Sequence, residues 1–388
     1  MSSTQFAGFR RPDGSAGTRN HVLVLPAVVC ASGVAQRIAQ RVPGTVTAVH
    51  QHGCSQIGAD KDQTQAVLAA LAAHPNVGAV LVVGLGCATV AADDLAAAAA
   101  AAGKPAAALC IEQCGGTPGT LAAGARIAEG FVHECAAAQR AQVPLAELVL
   151  GTNCGGSDAF SGLTANPAIG VAADLLVAAG GTVVMAETTE MIGAEHLLAA
   201  RCAEPAVAEQ LFAMVRRTEE ATIARGAEVR GANPARGNLE GGISTLEEKS
   251  LGCIQKGGST PVREVLGYGQ RPSQRGLVLM DTPGHDIESL AGIAAGGCQV
   301  IVFSTGRGSP VGFPIVPVIK IATHSVLYER MSDDMDLNAG VIIEDRVPVG
   351  EFGRVILERV VSVASGELTC AERHGHHEFG LTRLGPSL

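Results

Sequence analysis

Leu148-Val149-Leu150-Gly151-Thr152-Asn153-Cys154-Gly155-Gly156-Ser157-Asp158 carries an apolar segment directly into a glycine-rich turn. Residues 148–150 are typical of a strand, and glycines in the turn let backbone N–H groups approach a ligand with no Cβ in the way. The turn also holds a thiol, a hydroxyl and a carboxylate, which a purely structural turn does not need. We interpret it as part of a ligand site. The alternative is a strand-to-helix connection with a buried cysteine.

On both sides of this stretch, short apolar segments alternate with helical patterns. Such βα rhythm with short connections favours parallel sheets covered by helices on both faces. We therefore predict an α/β protein with two Rossmann-like domains, residues 1–143 and 144–388, each with a mainly parallel sheet flanked by helices. The predicted strands are 21–29, 45–49, 79–83, 106–111, 148–150, 183–186, 276–280, 299–303 and 316–321; the predicted helices are 33–41, 62–74, 91–102, 120–140, 166–179, 205–225 and 351–364; residues 231–242 are predicted to be a loop or lid.

The composition excludes several classes of protein. The net charge of −9, the absence of Trp and the presence of only two Tyr argue against a nucleic-acid partner. No apolar run reaches the roughly 18 residues that a membrane span needs. The N-terminus has no basic segment followed by an apolar one, so we expect no signal peptide. The 11 cysteines then indicate a reducing cytoplasm, where thiols in glycine-rich turns are better interpreted as ligands or reactive groups than as disulfides.

Cysteine-bearing turns follow four of the predicted strands, and ligands of open α/β sheets bind beyond the carboxyl ends of the strands. The turns contain Cys54, Cys87, Cys114 and Cys154. Three thiolates would suit zinc, Fe(II) or an iron–sulfur cluster. The spacings match no compact metal motif, so packing thiols at helix N-termini are an equal alternative.

Gly84-Leu85-Gly86-Cys87-Ala88-Thr89 partly matches a dinucleotide-binding fingerprint, with Glu112 at the place of the ribose-binding acid. Thr89 replaces the third glycine, and the motif follows the third predicted strand instead of the first. A nicotinamide-dependent dehydrogenase is therefore a weak alternative.

Further polar groups follow later strands. Arg307 lies in a Gly/Ser-rich run that suits a carboxylate, and Asp336 lies in an acidic run that suits a hard cation. Glu187, Glu190 and His196 follow the strand that ends near residue 186, and Lys249 lies in a helical segment. Taken singly, each is more often a surface turn, a helix cap or a solvated charge. Burial of Lys249 would be the exception, because it could lower the pKa of this lysine enough to make it a base.

Taken together, these residues resemble the altronate dehydratase/galactarate dehydratase family, from about residue 8 to about residue 366. The resemblance retains Cys54, Cys87 and Cys154. Matching stretches are Gly17-Thr18-Arg19-Asn20, Gly53-Cys54, residues 82–87, residues 153–167, His196-Leu197-Leu198, residues 248–252, residues 305–308, Pro317-Val318-Ile319-Lys320 and residues 335–340.

The resemblance implies a partner. Sugar-acid dehydratases of this family begin with a small domain of the β-clip type, of roughly 90 residues, within the usual domain range. Here the family's second domain starts almost at Met1. The chain therefore resembles the large subunit of split forms, such as sulfo-lyases with separate small and large subunits. We expect a separate small β-clip-type subunit, and also a homo-oligomer.

The resemblance also implies a reaction, the β-elimination of water or sulfite from a small 2-hydroxy acid such as a sugar acid or sulfolactate. A base removes the C2 proton, a metal stabilises the enediolate, and the product becomes a 2-keto acid. The expected metal is iron, as Fe(II) or a cluster, although another divalent ion is possible. A non-catalytic anion-binding subunit is the alternative of a different class. The candidates are Lys249, Glu187 and His196, in that order, for the base and the acid; Arg19, Asn20, Gly155, Gly156, Ser157, Asp158, Arg307, Lys320 and Asp336 for substrate binding; and Cys54, Cys87 and Cys154 for the metal.

Overall fold

The computed structural model of the chain describes residues 4–385. Its N-terminal part contains a four-stranded parallel sheet in the order β4-β3-β5-β6 and a small antiparallel sheet in the order β2-β1-β7. The elements are β1 (Gln5–Arg10), β2 (Ala16–Gly17), β3 (His21–Pro26), α1 (Val29–Arg41), β4 (Thr45–Thr47), α2 (Gly58–Ala72), β5 (Val77–Gly84), α3 (Ala92–Ala101), β6 (Ala106–Cys110), α4 (Thr117–Ala136) and β7 (Ala141–Pro144).

The C-terminal part is built on a seven-stranded parallel sheet in the order β10-β11-β9-β8-β12-β13-β14. Single turns of 3₁₀ helix lie at Leu145–Glu147, Thr188–Glu190 and Ile254–Gly257. The other elements are β8 (Val149–Cys154), α5 (Ala165–Ala178), β9 (Thr182–Met185), α6 (Glu195–Ala199), α7 (Pro205–Ile223), α8 (Val229–Ala232), α9 (Arg236–Glu240), α10 (Leu246–Cys253), β10 (Val262–Leu266), β11 (Gly276–Met280), α11 (Asp286–Ala295), β12 (Val300–Thr305), β13 (Val318–Ala322), α12 (Ser325–Arg330), β14 (Leu337–Asn338), α13 (Val341–Glu344), α14 (Val349–Ala364) and α15 (Cys370–His374).

Parallel strands flanked by helices in both parts confirm the predicted α/β class. The structure also contains elements that the sequence patterns did not predict, among them β1, β2 and β7 of the antiparallel sheet, strand β10 and helix α11. The predicted loop or lid at residues 231–242 contains part of α8 and all of α9. No helix in the described part of the chain is both long and apolar enough to cross a bilayer.

The two parallel sheets share packing. One hydrophobic cluster contains Leu23 and Val80 from the N-terminal sheet together with Val278 and Phe303 from the C-terminal sheet. Helix α2 packs against α11 between the sheets. The predicted domain boundary at residues 143/144 stays a prediction, and the core is continuous across it.

Strand β8 lies at the centre of the large sheet, where the strand order changes direction. The chain leaves β8 for β9 on one side, while β12 pairs with β8 on the other side. Open α/β sheets place ligand sites beyond the carboxyl ends of strands at such a switch point. The last residue of β8 is Cys154, so the strand continues four residues beyond the predicted 148–150.

Gly151 belongs to β8 and not to the turn in which the sequence pattern placed it. A Cβ at residue 151 would lie 2.3 Å from Cγ2 of Ile293 on α11. Glycine is therefore required there because α11 packs directly on the strand. This close packing brings the N-terminal end of α11 to the turn that follows Cys154.

Candidate active site

A buried cluster of ionisable groups surrounds Cys154 at the carboxyl end of β8. The Lys256 ammonium lies 2.8 Å from Cys154 Sγ, 2.8 Å from Glu187 Oε2 and 3.0 Å from Glu190 Oε2. The side chains of Lys256 and Glu187 are each 1% exposed and that of Glu190 is 6% exposed. Charged side chains are almost never buried this deeply unless they are paired. The cluster is therefore an interior group of paired charges and not a surface feature.

Each member of this cluster is positioned by a different element. Glu187 follows β9 with a left-handed φ of 71°, which is strained for a residue with a side chain. Its N–H donates to Thr282 Oγ1 at 2.8 Å, and its Oε2 accepts the Cys154 N–H at 2.9 Å. Glu190 ends the following 3₁₀ turn, and Lys256 lies in the 3₁₀ turn Ile254–Gly257, which packs against α5.

Charge balance explains how the cluster tolerates burial. Burial opposes ionisation of the Cys154 thiol, but a hydrogen bond with Cys253 and the charge of Lys256 outweigh it, and the pKa of Cys154 falls below its usual value. Burial, followed by the neighbouring Glu190, raises the pKa of Glu187 well above its usual value. The two ammonium groups, Lys256 and Lys249, lie against the carboxyl groups of Glu187 and Glu190 and the Cys154 sulfur, so opposite charges meet inside the cluster.

Lys249 connects this cluster to the open part of the site. Its Nζ lies 3.4 Å from Glu190 Oε1 and donates to Asn233 Oδ1 at 3.0 Å. Burial opposes the charge of Lys249, but Glu190 outweighs it and raises the pKa of Lys249, so this lysine is an ammonium at neutral pH. Burial therefore does not produce the neutral lysine that the sequence-based assignment of Lys249 as a base requires.

A cavity of about 530 Å³ opens in front of the cluster. Its ionisable lining groups belong to Cys154, Glu190, Lys249, Asp286 and Arg307. Residues 229–242, which we call the roof segment, cover one side of it and include the lining residues Val229, Ala232, Asn233, Ala235, Gly237 and Asn238. A cavity of this size is large enough for a small organic acid.

The glycine-rich turn after Cys154 shapes the wall of this cavity. A Cβ on Gly155 would lie 2.2 Å from Asp286 Oδ2, so only glycine allows that carboxyl group to approach. Gly156 has a φ of 57°, and its carbonyl accepts the N–H groups of Gly306 and Arg307 at 3.1 and 2.8 Å. The turn thereby fixes the backbone from which Arg307 reaches the cavity.

Ser157 and Asp158 lie on the other side of Lys249, in a smaller cavity of about 230 Å³. The Asp158 carboxylate accepts hydrogen bonds from Ser161 Oγ at 2.9 Å and Thr323 Oγ1 at 3.0 Å. The Ser157 hydroxyl is buried without a hydrogen-bond partner among the described residues. The four predicted binding residues of the turn therefore divide between two adjoining cavities.

The structure does not bring the three predicted metal thiols together. Cys54 is half-buried and Cys87 is exposed, in loops after β4 and β5 of the N-terminal sheet. Within residues 4–385, the group of three potential ligand atoms that all lie within 4.8 Å of one another is formed by Cys154, Glu190 and Cys253. The carboxyl ends of strands meet at one edge only within a single sheet, and these cysteines follow strands of two sheets.

Arg19 and Asn20, which the sequence analysis predicts to bind substrate, make contacts within the scaffold. The Arg19 guanidinium forms a bidentate ion pair with Glu372, at 2.6 and 2.8 Å, and donates to the carbonyls of Thr18, Val363 and Glu367. Its five N–H groups are thereby occupied. Asn20 bonds Arg11 and the Cys135 carbonyl. These residues lie at the start of β3, away from the carboxyl ends of the strands.

Three other predicted residues are also separate from the cluster. Asp336 accepts the Lys320 N–H at 2.9 Å and pairs with Arg359 at 2.8 Å, so it fastens the end of the sheet. The Lys320 ammonium is buried with no hydrogen-bond partner in the described part of the chain, and burial lowers its pKa to about 8. His196 lies on the surface on α6.

The partial dinucleotide fingerprint lacks the geometry it needs. Helix α3 begins only at Ala92, beyond the whole motif, so no helix N-terminus opens at the glycines. Glu112 folds back onto the loop: a Cβ on Gly86 would lie 2.1 Å from its Oε1. Thr89 donates its N–H to the Gly53 carbonyl at 2.9 Å, joining two loops of the sheet edge.

The sequence analysis did not identify three residues of this site, Lys256, Cys253 and Asp286. Lys256 and Cys253 follow the matched stretch at residues 248–252, and that proximity was the one available signal for them. Asp286 begins a helix that the patterns did not predict. All three come from segments remote in sequence from Cys154.

Comparison with known proteins identifies the family of the chain. The model for the C-terminal part of D-galactarate/altronate dehydratase matches residues 145–387, and the model for the second domain of D-galactarate dehydratase/altronate hydrolase matches residues 8–136. Altronate dehydratase of Bacillus subtilis is 38% identical to the chain, with 99% of the chain and 78% of the relative aligned.

Two other relatives give the same result. Galactarate dehydratase (L-threo-forming) of Escherichia coli is 37% identical, over 96% of the chain and 75% of the relative. The (2R)-sulfolactate sulfo-lyase subunit beta of Chromohalobacter salexigens is 38% identical, over 99% of the chain and 98% of the relative. The chain therefore belongs to the galactarate/altronate dehydratase family, as its sequence motifs predict.

Proposed function

We propose that this protein is a lyase that eliminates a group from C3 of a 2-hydroxy acid to give a 2-keto acid. The relatives are named as dehydratases and as a subunit of a sulfo-lyase, so the leaving group is water or sulfite. One observation carries the proposal: a cavity of about 530 Å³ has two cations, Lys249 and Arg307, and a free carboxyl group, Asp286, in its walls. This is the set of groups that an acidic substrate and an elimination need.

The two cations bind the acid. Arg307 offers a planar pair of donors to the substrate carboxylate, and its backbone is held by the Gly156 carbonyl. Lys249, in the wall of the same cavity, is held by Glu190 and Asn233. As an ammonium, it stabilises the negative charge that develops on the enediolate when C2 loses its proton.

Glu187 acts as a positioning residue in this proposal. It does not line the cavity, and its carboxyl group binds Lys256 and the Cys154 N–H. It therefore orders the end of β8 and the buried ammonium. Neither Glu187 nor the exposed His196 reaches a substrate in the cavity, so the C2 proton requires another acceptor.

The iron that the family resemblance implies fits Cys154, Cys253 and Glu190 in donor chemistry. Two thiolates and a carboxylate are ligands that suit Fe(II) or zinc. Lys256 now contacts two of these three donors, so an ion at this position would replace Lys256 as their counter-charge. A bound divalent ion supplies a Lewis acid that polarises the oxygens of the substrate.

A second subunit completes this proposal. The dehydratase relatives are aligned over 75–78% of their length, whereas the sulfo-lyase subunit is aligned over 98%. The chain thus corresponds in length to one subunit of a heteromeric enzyme. We propose a small β-clip-type subunit as its partner.

The decisive experiment combines the chain with its proposed small subunit and screens altronate, galactarate and (2R)-sulfolactate. The readouts are 2-keto-acid formation and sulfite release. Product from at least one acid, lost in Lys249→Met, supports the lyase. No product from any acid, with tight binding of the same acids, favours a non-catalytic anion-binding subunit.

Iron needs a separate test with a matched control. The chain is purified anaerobically and analysed for metal and acid-labile sulfide. Cys253→Ser should reduce bound iron, whereas Cys54→Ser, which removes a thiol outside the cluster, should not. Equal iron content in the two variants would contradict the assignment of Cys253 as a ligand. Iron lost only in Cys54→Ser would instead support the ligands predicted from the sequence, Cys54, Cys87 and Cys154.

A further inference from the structure

We propose that Asp286 is the catalytic base that removes the C2 proton of the 2-hydroxy acid. This inference rests on the proposed lyase function and assigns one step of it. Asp286 is the first residue of α11, and its carboxyl group lines the same cavity as Lys249 and Arg307.

The position of Asp286 is built into the fold. Helix α11 packs on β8 so closely that residue 151 must be glycine. In the glycine-rich turn that follows β8, a Cβ on residue 155 would lie only 2.2 and 2.5 Å from the two Asp286 carboxyl oxygens. These oxygens therefore occupy the space that a side chain at residue 155 would need. The carboxyl group is thus held against the glycine-rich turn directly after Cys154, on the cavity wall.

Asp286 differs from the other carboxylates near the cavity in having free lone pairs. Glu190 is engaged by Lys256 and Lys249, and Asp158 is engaged by Ser161 and Thr323. Within the described part of the chain, no hydrogen bond or ion pair reaches either oxygen of Asp286. A base must have a free lone pair facing the substrate, and this carboxylate provides one.

The surroundings of Asp286 favour proton acceptance. Burial raises the pKa of Asp286 to about 6, and the negative charge of Glu190 adds to this effect. His285, Lys256 and Lys249 act in the opposite direction. Arg307 also lines the cavity. The group is therefore ionised at neutral pH and more basic than an ordinary aspartate, which suits a general base. Lys249 lines the same cavity as Asp286 and is the proton donor of the pair.

Each proton that moves in the elimination has a donor and an acceptor. The Asp286 carboxylate takes the C2 proton, and the C–H electron pair forms the enediolate. The enediolate then forms the C2=C3 bond while the C3–O bond breaks, and the Lys249 ammonium protonates the departing hydroxide to water. The enol gains the Asp286 proton at C3 and returns its hydroxyl proton to Lys249. Both residues regain their starting states, and the products are a 2-keto acid and water.

The test compares Asp286→Asn with Glu288→Gln, which removes a carboxylate from the same helix outside the cavity. Glu288 accepts a hydrogen bond from Thr382 and is 28% exposed. Each variant, with the small subunit, receives the acid that the wild-type protein turns over, in D₂O. C2 deuterium exchange and product formation are both measured. We expect Asp286→Asn to lose at least about 100-fold in both rates, the usual effect of a general base, while Glu288→Gln keeps both.

The outcomes are distinguishable. If Asp286→Asn keeps C2 exchange and loses only product, the residue serves the leaving group and the inference is overturned. Unchanged exchange and product overturn it while the lyase function stands. Absence of exchange and product in the wild-type protein overturns both. The acid side of the wild-type kcat/KM profile should rise with pH as Asp286 ionises; a profile that falls over the same range contradicts a base.

Discussion

Replacing Lys256 by methionine should strongly destabilise the protein. Lys256 is fully buried and contacts Cys154, Glu187 and Glu190 at 2.8, 2.8 and 3.0 Å. Methionine has a similar length but no charge, so the volume is kept while two carboxyl groups and a thiol lose their counter-charge. Removing one partner of a buried ion pair costs about 3–5 kcal/mol, because the remaining charge has neither water nor a partner. That is at least about a 100-fold change in the folding equilibrium.

The loss of stability in Lys256→Met should depend on pH in a defined direction. In the wild-type protein, burial opposes ionisation of Glu190, but Lys256 and Lys249 outweigh it and lower the pKa of Glu190 to about 2. Its contribution to stability is therefore present above pH 4.5 and is lost as pH falls from 4.5 towards 2. In Lys256→Met, burial dominates and raises the pKa of Glu190. The variant should then lose stability as pH rises through 4.5. The difference in the free energy of unfolding between wild type and variant should therefore increase with pH.

The assay is urea unfolding, followed by circular dichroism between pH 3 and 8. The matched control is Lys61→Met, since Lys61 is a half-buried lysine on α2 with no ion pair among the described residues. The control should change stability by less than about 0.5 kcal/mol. A loss below about 1 kcal/mol in Lys256→Met at pH 7, or a gap that narrows with rising pH, would refute the assignment of Lys256 as the buried counter-charge.

Three further variants test the division between site and scaffold. Gly155→Ala places a Cβ 2.2 Å from Asp286 Oδ2 and should lower kcat about 100-fold with little change in Tm, as kinetics and calorimetry would show. Arg307→Met should raise KM about 10–100-fold, the value of one charge-assisted hydrogen bond, and an unchanged KM counts against it. Arg19→Met breaks the buried pair with Glu372 and should cost about 3–5 kcal/mol in urea unfolding while kcat of the folded protein persists. Loss of kcat without loss of stability would return Arg19 to the substrate site.

Local signals in the sequence predicted much of the fold. Buried parallel strands are continuous apolar runs, and those at residues 79–83 and 276–280 correspond to β5 and β11. Helix α11 was not predicted because Ser289 to Ala295 are all buried. The helix therefore has no polar face to create a 3.6-residue period in the sequence. Strand β10 was not predicted because it lies at the edge of the sheet and contains charged as well as apolar residues.

By itself, the sequence determined the α/β class and the family, and it predicted a ligand site at the turn after Cys154, because short-range patterns and ordered motifs carry that information. It did not determine which side chains meet there. Lys256 contacts Cys154 across 102 positions in the chain, and Glu187 contacts it across 33. Only the tertiary structure decided these partners, and it placed Glu190 and Cys253 beside Cys154. Buried charges are stable only when opposite charges converge on them, and that convergence is set by how the elements pack.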